Sequence, residues 1–464
     1  MSLDLTGCDK TVAAGEIAIA VTTDHPLIKL ANALPWPLLT GIVLSDLKRT
    51  ANGMWWTGRK LLVRIHLAAY VLQKIYDLTD RQIEYGIKDN AAYQLFCGKG
   101  IVTCWRAPDH TKIAAFRAKI SPETQRALAN EIANVAVILG FADPTETDFD
   151  STVQEANITY PSDASLMTKL TGMAKKVIDF LKAKTPHLLP ADIGVSMKVV
   201  KEKARAYFFM AKNSAIETRC AVFKDLHRIV KQQLRPISMI CAALDPAQLA
   251  SMPWNIRRAA KQIKDHAWRY LLDVGHFTRT HAIKAGKILA FHAQSVACIR
   301  KGKPGRDNEF GRVFQLGRIK GNFLIVSACT SLRMDDKRSL VGLLDDHAAV
   351  FGQGVLKSAS ADKGYWSAKN SHELGLRGVQ ENGMQRPAHI KIKSEHSNSA
   401  TQERLRNRRA GIEPLIGHAK HGGQLGKSRM KSDQATLAAG YGSVLGFNLR
   451  QLVNRQRTGQ RKVA

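Results

Sequence analysis

Residues 358–366 read SASADKGYW, in which a run of small residues ends at an acid, Asp362, and Gly364 lets the chain turn. The stretch GVLKSASA, which ends at residue 361, leans towards apolar side chains and predicts a strand that stops at the acid. Asp362 could simply accept local hydrogen bonds in a strand-to-helix turn. It could instead be a metal ligand at the carboxyl end of a strand, where open α/β sheets place their sites. Both interpretations stand until the other carboxylates are considered.

The charge balance restricts the class of partner. The 464 residues contain 69 Lys and Arg against 39 Asp and Glu, which gives a formal net charge of +30. Such an excess favours a polyanion such as DNA, because each neutralised phosphate releases condensed counterions. A basic RNA-binding protein is disfavoured, since aromatic residues are only 7% of the chain and no aromatic-rich sheet motif is present.

Membrane and secreted classes are not favoured by the sequence. The most apolar stretch, residues 30–44, contains two prolines and is too short to cross a bilayer, so no membrane partner is expected. The chain opens without the basic start and apolar segment of a signal peptide. Its seven cysteines form no CxxC pair, which indicates neither a zinc ribbon nor a disulfide framework. The expected location is a reducing cytoplasm.

Periodicity divides the chain into segments of different character. Apolar residues recur at helical spacing in residues 60–78, and Thr79 is a plausible cap of the next helix. A helix-turn-helix and a plain helical bundle are both compatible with residues 60–96. The predicted divisions are a helical amino-terminal domain at 1–140 that is a candidate for binding DNA ends, a first strand within 141–164, a helical insertion at 165–297, the rest of a sheet-containing domain at 298–425, and a basic helix and tail at 426–464.

The second half of the chain predicts a sheet. Residues 308–332 read as a hairpin whose turn is IKGN (319–322), and helix and strand alternate after it. This order predicts a mixed α/β sheet that a helical domain interrupts between its first and second strands.

Glu413 lies at an irregular point of a predicted helix. In RAGIEPLIGHAK (409–420), Arg409, Glu413 and Lys420 fall on one stripe if the helix is continuous, and they could be a surface row of ion pairs. Pro414 disfavours helical geometry at the residue before it, so the helix should begin or bend there. A backbone irregularity is an uncommon place for a surface acid without a role.

The other acids have plain structural explanations. Asp150, in DFDST, could belong to a cap or turn, and Asp163 could cap the helix that starts near residue 165. The acids that flank the helix after the hairpin are expected to face solvent: Asp335, Asp336, Asp345 and Asp346. Two or three carboxylates that converge could instead hold a pair of Mg²⁺ ions, which activate the attacking oxygen and stabilise the leaving oxygen of a phosphodiester.

Three stretches, taken in order, resemble the DDE transposases of bacterial insertion sequences, in particular insertion-sequence family five and its relatives. They are DSTVQEANITYPSDASLM (150–167), ADKGY (361–365) and RAGIEPLIGHAK (409–420). Further stretches resemble the same group, so that the resemblance covers most of the chain: 77–98, 105–117, 298–311 and 440–452.

The resemblance implies a ribonuclease-H-like catalytic domain with three acids that are both catalytic and metal-binding. Asp150 matches the first aspartate, on the first strand, and Asp362 matches the second, on the fourth strand. Glu413 matches the glutamate, on a following helix. The implied cofactor is Mg²⁺, for which Mn²⁺ could substitute.

The resemblance also implies which residues hold DNA. Arg409 and Lys420 match the arginine and lysine that flank the glutamate, and the tyrosine expected three residues before that arginine is replaced by Arg406, itself a candidate for binding DNA. The basic segment before the second predicted strand adds three candidates: Arg300, Lys301 and Lys303. The implied partners are terminal inverted repeats and target DNA, bound by a homodimer or higher assembly at the bacterial nucleoid.

The implied reaction is cleavage at the ends of an insertion sequence, followed by joining of the freed 3′-hydroxyl to target DNA through two-metal-ion phosphoryl transfer. Two alternatives stay open. One is a catalytically decayed regulator that binds DNA without cutting it, and the other is a nuclease of the same fold that never joins strands.

Overall fold

The computed structural model describes residues 21–47, 60–98, 107–190, 192–210, 215–293, 295–303, 306–329, 334–384 and 399–458. The chain divides into two units. One is formed by residues 1–157 and 299–464, and the other by residues 158–298.

The first unit begins with short helices that are closed by side-chain caps. Thr79 accepts a hydrogen bond from the amide of Gln82, which confirms the predicted cap, and Ser121 accepts from the amide of Thr124 at 3.1 Å. The helices are α1 (Pro26–Ala33), α2 (Trp36–Leu47), α3 (Lys60–Tyr76), α4 (Asp80–Asp89), α5 (Ala91–Phe96), α6 (His110–Lys119) and α7 (Pro122–Ile138). In the described part of the chain no single helix is long and apolar enough to cross a membrane, although α1 and α2, bent by 70°, would suffice together by length and composition.

The second unit is built from helices around a core of its own, in which Leu170, Leu226 and Tyr270 are buried. Its helices are α8 (Asp163–Lys184), α9 (Met197–Phe209), α10 (Ile216–Ala243), α11 (Pro246–Ser251), α12 (Trp254–Gln262) and α13 (Trp268–Thr280). The predicted cap at Asp163 is wrong, because Ser162 caps α8. The Asp163 carboxylate instead accepts a hydrogen bond from Lys287 Nζ at 2.6 Å.

The strands form one mixed sheet in the first unit, and the predicted mixed α/β architecture with a helical majority is confirmed. The strands are β1 (Asp143–Glu155), β2 (Ala297–Lys303), β3 (Arg306–Lys320), β4 (Phe323–Val326), β5 (Ser358–Ala361) and β6 (Glu381–Met384). The order across the sheet is β2-β3-β1-β5-β6, and β4 pairs with β3. β1 runs antiparallel to β3 and parallel to β5, which runs parallel to β6.

The hairpin prediction is confirmed, and one strand was not predicted. The turn between β3 and β4 is formed by Gly321 and Asn322, both with positive φ (101° and 71°), as two-residue hairpin turns require. The unpredicted strand is β2, which the sequence indicated only as a basic segment. Asp362 therefore follows the fifth strand in chain order and not the fourth.

Helices cover both faces of the sheet. They are α14 (Asp336–Phe351), α15 (Ala368–Leu376), α16 (Ser399–Ala410), α17 (Ile412–His421) and α18 (Asp433–Thr458). Phe149 of β1 packs in a buried cluster with Leu340 and Leu343 of α14. Successive residues of a strand face opposite sides, so α16, which binds Asp148, lies on the other face. The long α18 is buried over its middle and packs against α3, α7 and β4.

Buried His347 of α14 makes stability depend on pH. Its Nε2–H donates to the carbonyl oxygen of Pro144 at 2.9 Å, and burial lowers its pKa to about 4. The unfolded chain, with a histidine pKa of about 6.5, binds this proton more readily. The His347 contribution is therefore complete above pH about 6.5 and is lost as the pH falls towards 4, a change of about 3 kcal/mol.

We expect His347→Gln to remove this part of the pH dependence, because glutamine keeps a neutral donor and does not titrate. The measurement is the free energy of urea-induced unfolding of both proteins between pH 4 and pH 7. Parallel curves for the two proteins would contradict the assignment.

Candidate active site

Asp150 and Asp362 lie side by side at the ends of two parallel strands. In the pairing of β1 with β5, Phe149 is opposite Ala361, and the next residue on each side is an acid. Neighbouring strands are about 4.8 Å apart, so the two acids leave the sheet as direct neighbours. Asp362 keeps extended backbone angles (φ −69°, ψ 164°), so it continues the direction of β5 before the turn begins.

Both acids project from the face that α16 covers. Ser360 Oγ donates to the carboxylate of Asp148, which places these side chains on one face. Asp150 and Asp362 come two residues later on their strands and so share that face. The sequence DFD (148–150) contains this alternation, in which two acids point one way and Phe149 points into the core.

Arg409 connects Asp150 to Glu413. Its Nη1 lies 3.8 Å from Asp150 Oδ2, and its Nη2 lies 3.7 Å from Glu413 Oε1. The Arg409 side chain is 17% exposed, whereas that of Glu413 is 65% exposed. The structure thus brings Asp150 and Asp362 together and places Glu413 one guanidinium group away from Asp150. Among the described residues, no group of three or more His, Cys, Asp and Glu side chains is arranged to hold a metal ion.

Burial and negative neighbours make the charge of Asp150 costly. Burial raises the pKa of this carboxyl to about 6, and the charges of Asp362 and Asp336 act in the same direction. The amide of Ser151, which donates at 2.7 Å, and the Arg409 guanidinium oppose the shift. A raised pKa with a charge partner in such a position is typical of functional sites.

Asp336 belongs to this cluster, and the prediction that it faces solvent is wrong. Gln315 Nε2 donates to its Oδ1 at 2.9 Å, and the hydroxyl of Tyr365 donates to Gln315 Oε1. A Cβ atom on Gly364 would lie 2.9 Å from Asp336 Oδ2, so a larger residue at position 364 would crowd this carboxylate. Its φ is outside the left-handed range, and the turn itself does not require glycine.

No local pattern in the sequence indicates that Asp336 lies near Asp150 and Asp362. Asp335 and Asp336 look like a helix cap followed by a first-turn acid, and Asp335 does cap α14 by accepting from the amide of Lys337. Only the packing of α14 against the sheet brings the second acid to the strand ends. The side chains of Gln315 and Tyr365 are buried.

A buried ionic network lies beneath the two acids. Asp148 is 2% exposed and lies between Arg408 Nε at 2.8 Å and Arg318 Nε at 3.2 Å. Arg408 Nη1 also contacts Glu146 Oε2 at 2.7 Å. The network fixes α16 to β1 and β3, and therefore fixes the position of the neighbouring Arg409.

The helix does not continue from Arg409 to Lys420, because it breaks at Gly411, although Arg409 still contacts Glu413 across the break. A Cβ atom there would lie 1.8 Å from Arg318 Nη1, so only glycine leaves room for the buried arginine. Pro414 lies in the first turn of α17, where its missing N–H costs no hydrogen bond. The break therefore comes before the proline and not at it.

The candidate DNA-binding residues lie in different places. Arg406 is exposed on α16, where its Nη2 is 3.7 Å from Glu403 Oε1. Lys420 is partly buried near the end of α17, and Arg300 is exposed on β2. The side chains of Lys301 and Lys303 lie outside the described part of the chain.

Comparisons with known proteins bear on the amino-terminal helices. Residues 16–119, which include α1 to α6, match the transposase domain DUF772. The chain is also 26% identical over 153 residues to an uncharacterized protein, ORF8 in the nfe locus of Rhizobium meliloti, a match that covers 32% of this chain and 70% of that protein. No solved structure matches significantly. Asp150, Asp362 and Glu413 lie outside the matched domain. The match by itself supports a transposase, an enzyme that cuts and joins DNA.

Proposed function

We propose that the protein is a DNA transposase of the DDE type, which cuts at the ends of an insertion sequence and joins the 3′-hydroxyl to target DNA. The observation that carries the proposal is the adjacency of Asp150 and Asp362 at the ends of β1 and β5. The transposase-domain match in residues 16–119 supports the same class of enzyme. The mixed sheet, with β1 between an antiparallel and a parallel neighbour, is compatible with the ribonuclease-H-like fold that we expect.

The side chains at the site suit Mg²⁺ or Mn²⁺. All three acids offer only oxygen donors, which these ions prefer, and Asp150 carries a raised pKa that a bound cation would offset. Asp150 and Asp362 would hold the ions, and Glu413, whose side chain is exposed, would complete the donor set. When bound, such ions would supply activation of the attacking oxygen and stabilisation of the leaving oxygen.

The cations around the acids would bind the DNA backbone. Arg409 already bridges two carboxylates, so with divalent ions on these acids its guanidinium would be available to a phosphate near the scissile bond. Lys420, Arg406 and the basic residues of β2 would hold flanking phosphates, and the net charge of +30 would supply affinity that is independent of sequence. Helices α3 to α5 are our candidate for reading the terminal inverted repeats, by a homodimer or a higher assembly.

The test is an assay with purified protein and DNA that carries the sequences flanking the gene. We expect nicking at the inverted-repeat ends that requires Mg²⁺ or Mn²⁺ and stops with EDTA, and we expect joined product when target DNA is added. End-specific binding without any cleavage would assign the protein to the decayed regulators. Cleavage without joined product would assign it to the nucleases.

A further inference from the structure

A cavity of about 540 Å³ lies in the first unit, away from the three acids. It is bounded by α3, the end of α6, the start of α7 and the start of α18. Its charged lining consists of Lys74, Arg117, Lys119 and Glu123. The volume is within the range of small-molecule sites, roughly 300–1,000 Å³.

Lys74 forms no ion pair with any described acid. The acids nearest to it are already engaged, since Arg429 Nη2 lies 2.6 Å from Asp77 Oδ2 and Arg117 Nη2 lies 2.9 Å from Asp80 Oδ2. No carboxylate of the described residues lies at ion-pair distance from the Lys74 ammonium, whose close contact is the ring of Tyr70 at 5.0 Å. Arg117 and Arg429 thus each have an acid partner, whereas Lys74 has none at ion-pair distance among the described residues.

The surroundings of this charge favour an anion. Burial lowers the pKa of Lys74 to about 8, the charge of Arg117 acts in the same direction, and the charges of Asp77 and Asp80 oppose the shift. Cations also outnumber acids among the charged side chains that line the cavity, since Lys74, Arg117 and Lys119 share it with Glu123.

We propose that this cavity binds the phosphate group of a nucleotide, with Lys74 as its anchor. The cavity is larger than a phosphate needs, and its apolar wall, which includes Ile120, Met430 and Ala438, leaves space for the attached sugar. The nucleotide could be free or part of a DNA strand, since both present the same phosphate ester. The site does not depend on cleavage at Asp150 and Asp362, so each proposal can fail without the other.

The experiment compares wild type with Lys74→Met and with a matched control, Lys112→Met. Lys112 is also a lysine of the amino-terminal helices, but its side chain is exposed on α6, 3.6 Å from Asp109, and it does not line the cavity. Thymidine 5′-monophosphate is titrated calorimetrically into each full-length protein at constant ionic strength. A 20-base-pair duplex of arbitrary sequence is then bound over a series of salt concentrations.

We expect Lys74→Met to weaken nucleotide binding about tenfold or more, while Lys112→Met stays within about twofold. A different outcome is that the wild-type protein does not bind the nucleotide, while the slope of log affinity for DNA against log salt concentration falls in magnitude by about one in Lys74→Met alone. In that case the phosphate belongs to a DNA strand. A Lys74→Met protein that matches wild type in both titrations would overturn the proposal.

Thermal unfolding keeps the test independent of folding defects. Without any nucleotide, Lys74→Met should melt at the wild-type temperature or above it, because methionine of similar length removes an uncompensated charge. A lower melting temperature for both Lys74→Met and Lys74→Gln would show that the charge is needed by the fold itself, which would also overturn the proposal.

Discussion

Replacing Asp362 by Ala is expected to lower Mg²⁺-dependent cleavage of the DNA ends by roughly 10³-fold or more. A carboxylate that holds a catalytic metal supports several kcal/mol of transition-state stabilisation, and each 1.4 kcal/mol is a factor of about ten in rate. Affinity for the same DNA should change by less than about twofold, since no phosphate contact is removed. The Asp362 carboxylate is exposed and makes no side-chain hydrogen bond to the turn that follows, so the fold should be retained.

The matched control is Asp345→Ala, which removes an exposed acid of the same unit. The Asp345 carboxylate contacts Arg377 at 2.7 Å and lies on α14 away from the strand ends. Cleavage is followed on end-labelled DNA in single-turnover conditions, and DNA binding by fluorescence anisotropy. If Asp362→Ala still cuts at the wild-type rate, Asp362 has no part in catalysis and the assignment of the site fails.

Replacing Asp148 by Asn is expected to cost about 3–5 kcal/mol of stability in the sheet-containing unit. The change leaves Arg318 and Arg408 buried without their shared counter-charge, and breaking a buried pair from one side is strongly destabilising. Cleavage should fall as well, because α16 then keeps only the Arg408–Glu146 ion pair to β1 and Arg409 is held less firmly beside Asp150. The measurement is the hydrogen exchange of the β1 and β5 amides, which reports on this unit alone.

The control for Asp148→Asn is Glu403→Gln, which removes an acid from α16, the helix that carries Arg408. Its partner Arg406 is 3.7 Å away and both side chains are exposed, so the pair should contribute less than about 1 kcal/mol. A loss below about 1 kcal/mol in Asp148→Asn would show that solvent reaches the network and would remove its role in fixing α16.

Much of the fold could be predicted because it depends on neighbours in the sequence. Thr79 caps α4 through a residue three positions away, and Gly321 with Asn322 supplies the backbone angles that the hairpin turn needs. The strand before Asp362 was also predicted. β2 was missed, because its glycine and its row of basic residues give none of the β-branched alternation on which strand prediction depends.

The acids of the candidate site were selected from the sequence, whereas their surroundings were predicted less well. Asp150, Asp362 and Glu413 were selected through resemblance, and their relation in space could not follow from periodicity. The sequence predicted the helix break at Pro414, whereas it lies at Gly411. The cause of the break is contact with Arg318, which belongs to a strand about ninety residues earlier and which no local pattern brings next to Gly411. The position of Asp336 beside Asp150 was not predicted. In the sequence it looks like any acid in the first turn of a helix, and only the packing of α14 brings it to the strand ends.

The sequence by itself determined the type and order of most elements, the helix cap at Thr79, the hairpin and the basic character of the chain. These features depend on contacts within a few residues or on composition, both of which the sequence states directly. Only the tertiary structure decided that Asp150 meets Asp362, that Arg409 bridges to Glu413 and that Lys74 has no acid at ion-pair distance among the residues that the structure describes. Strand register and charge pairing between distant segments depend on which faces are buried against each other, and burial is a property of the whole fold.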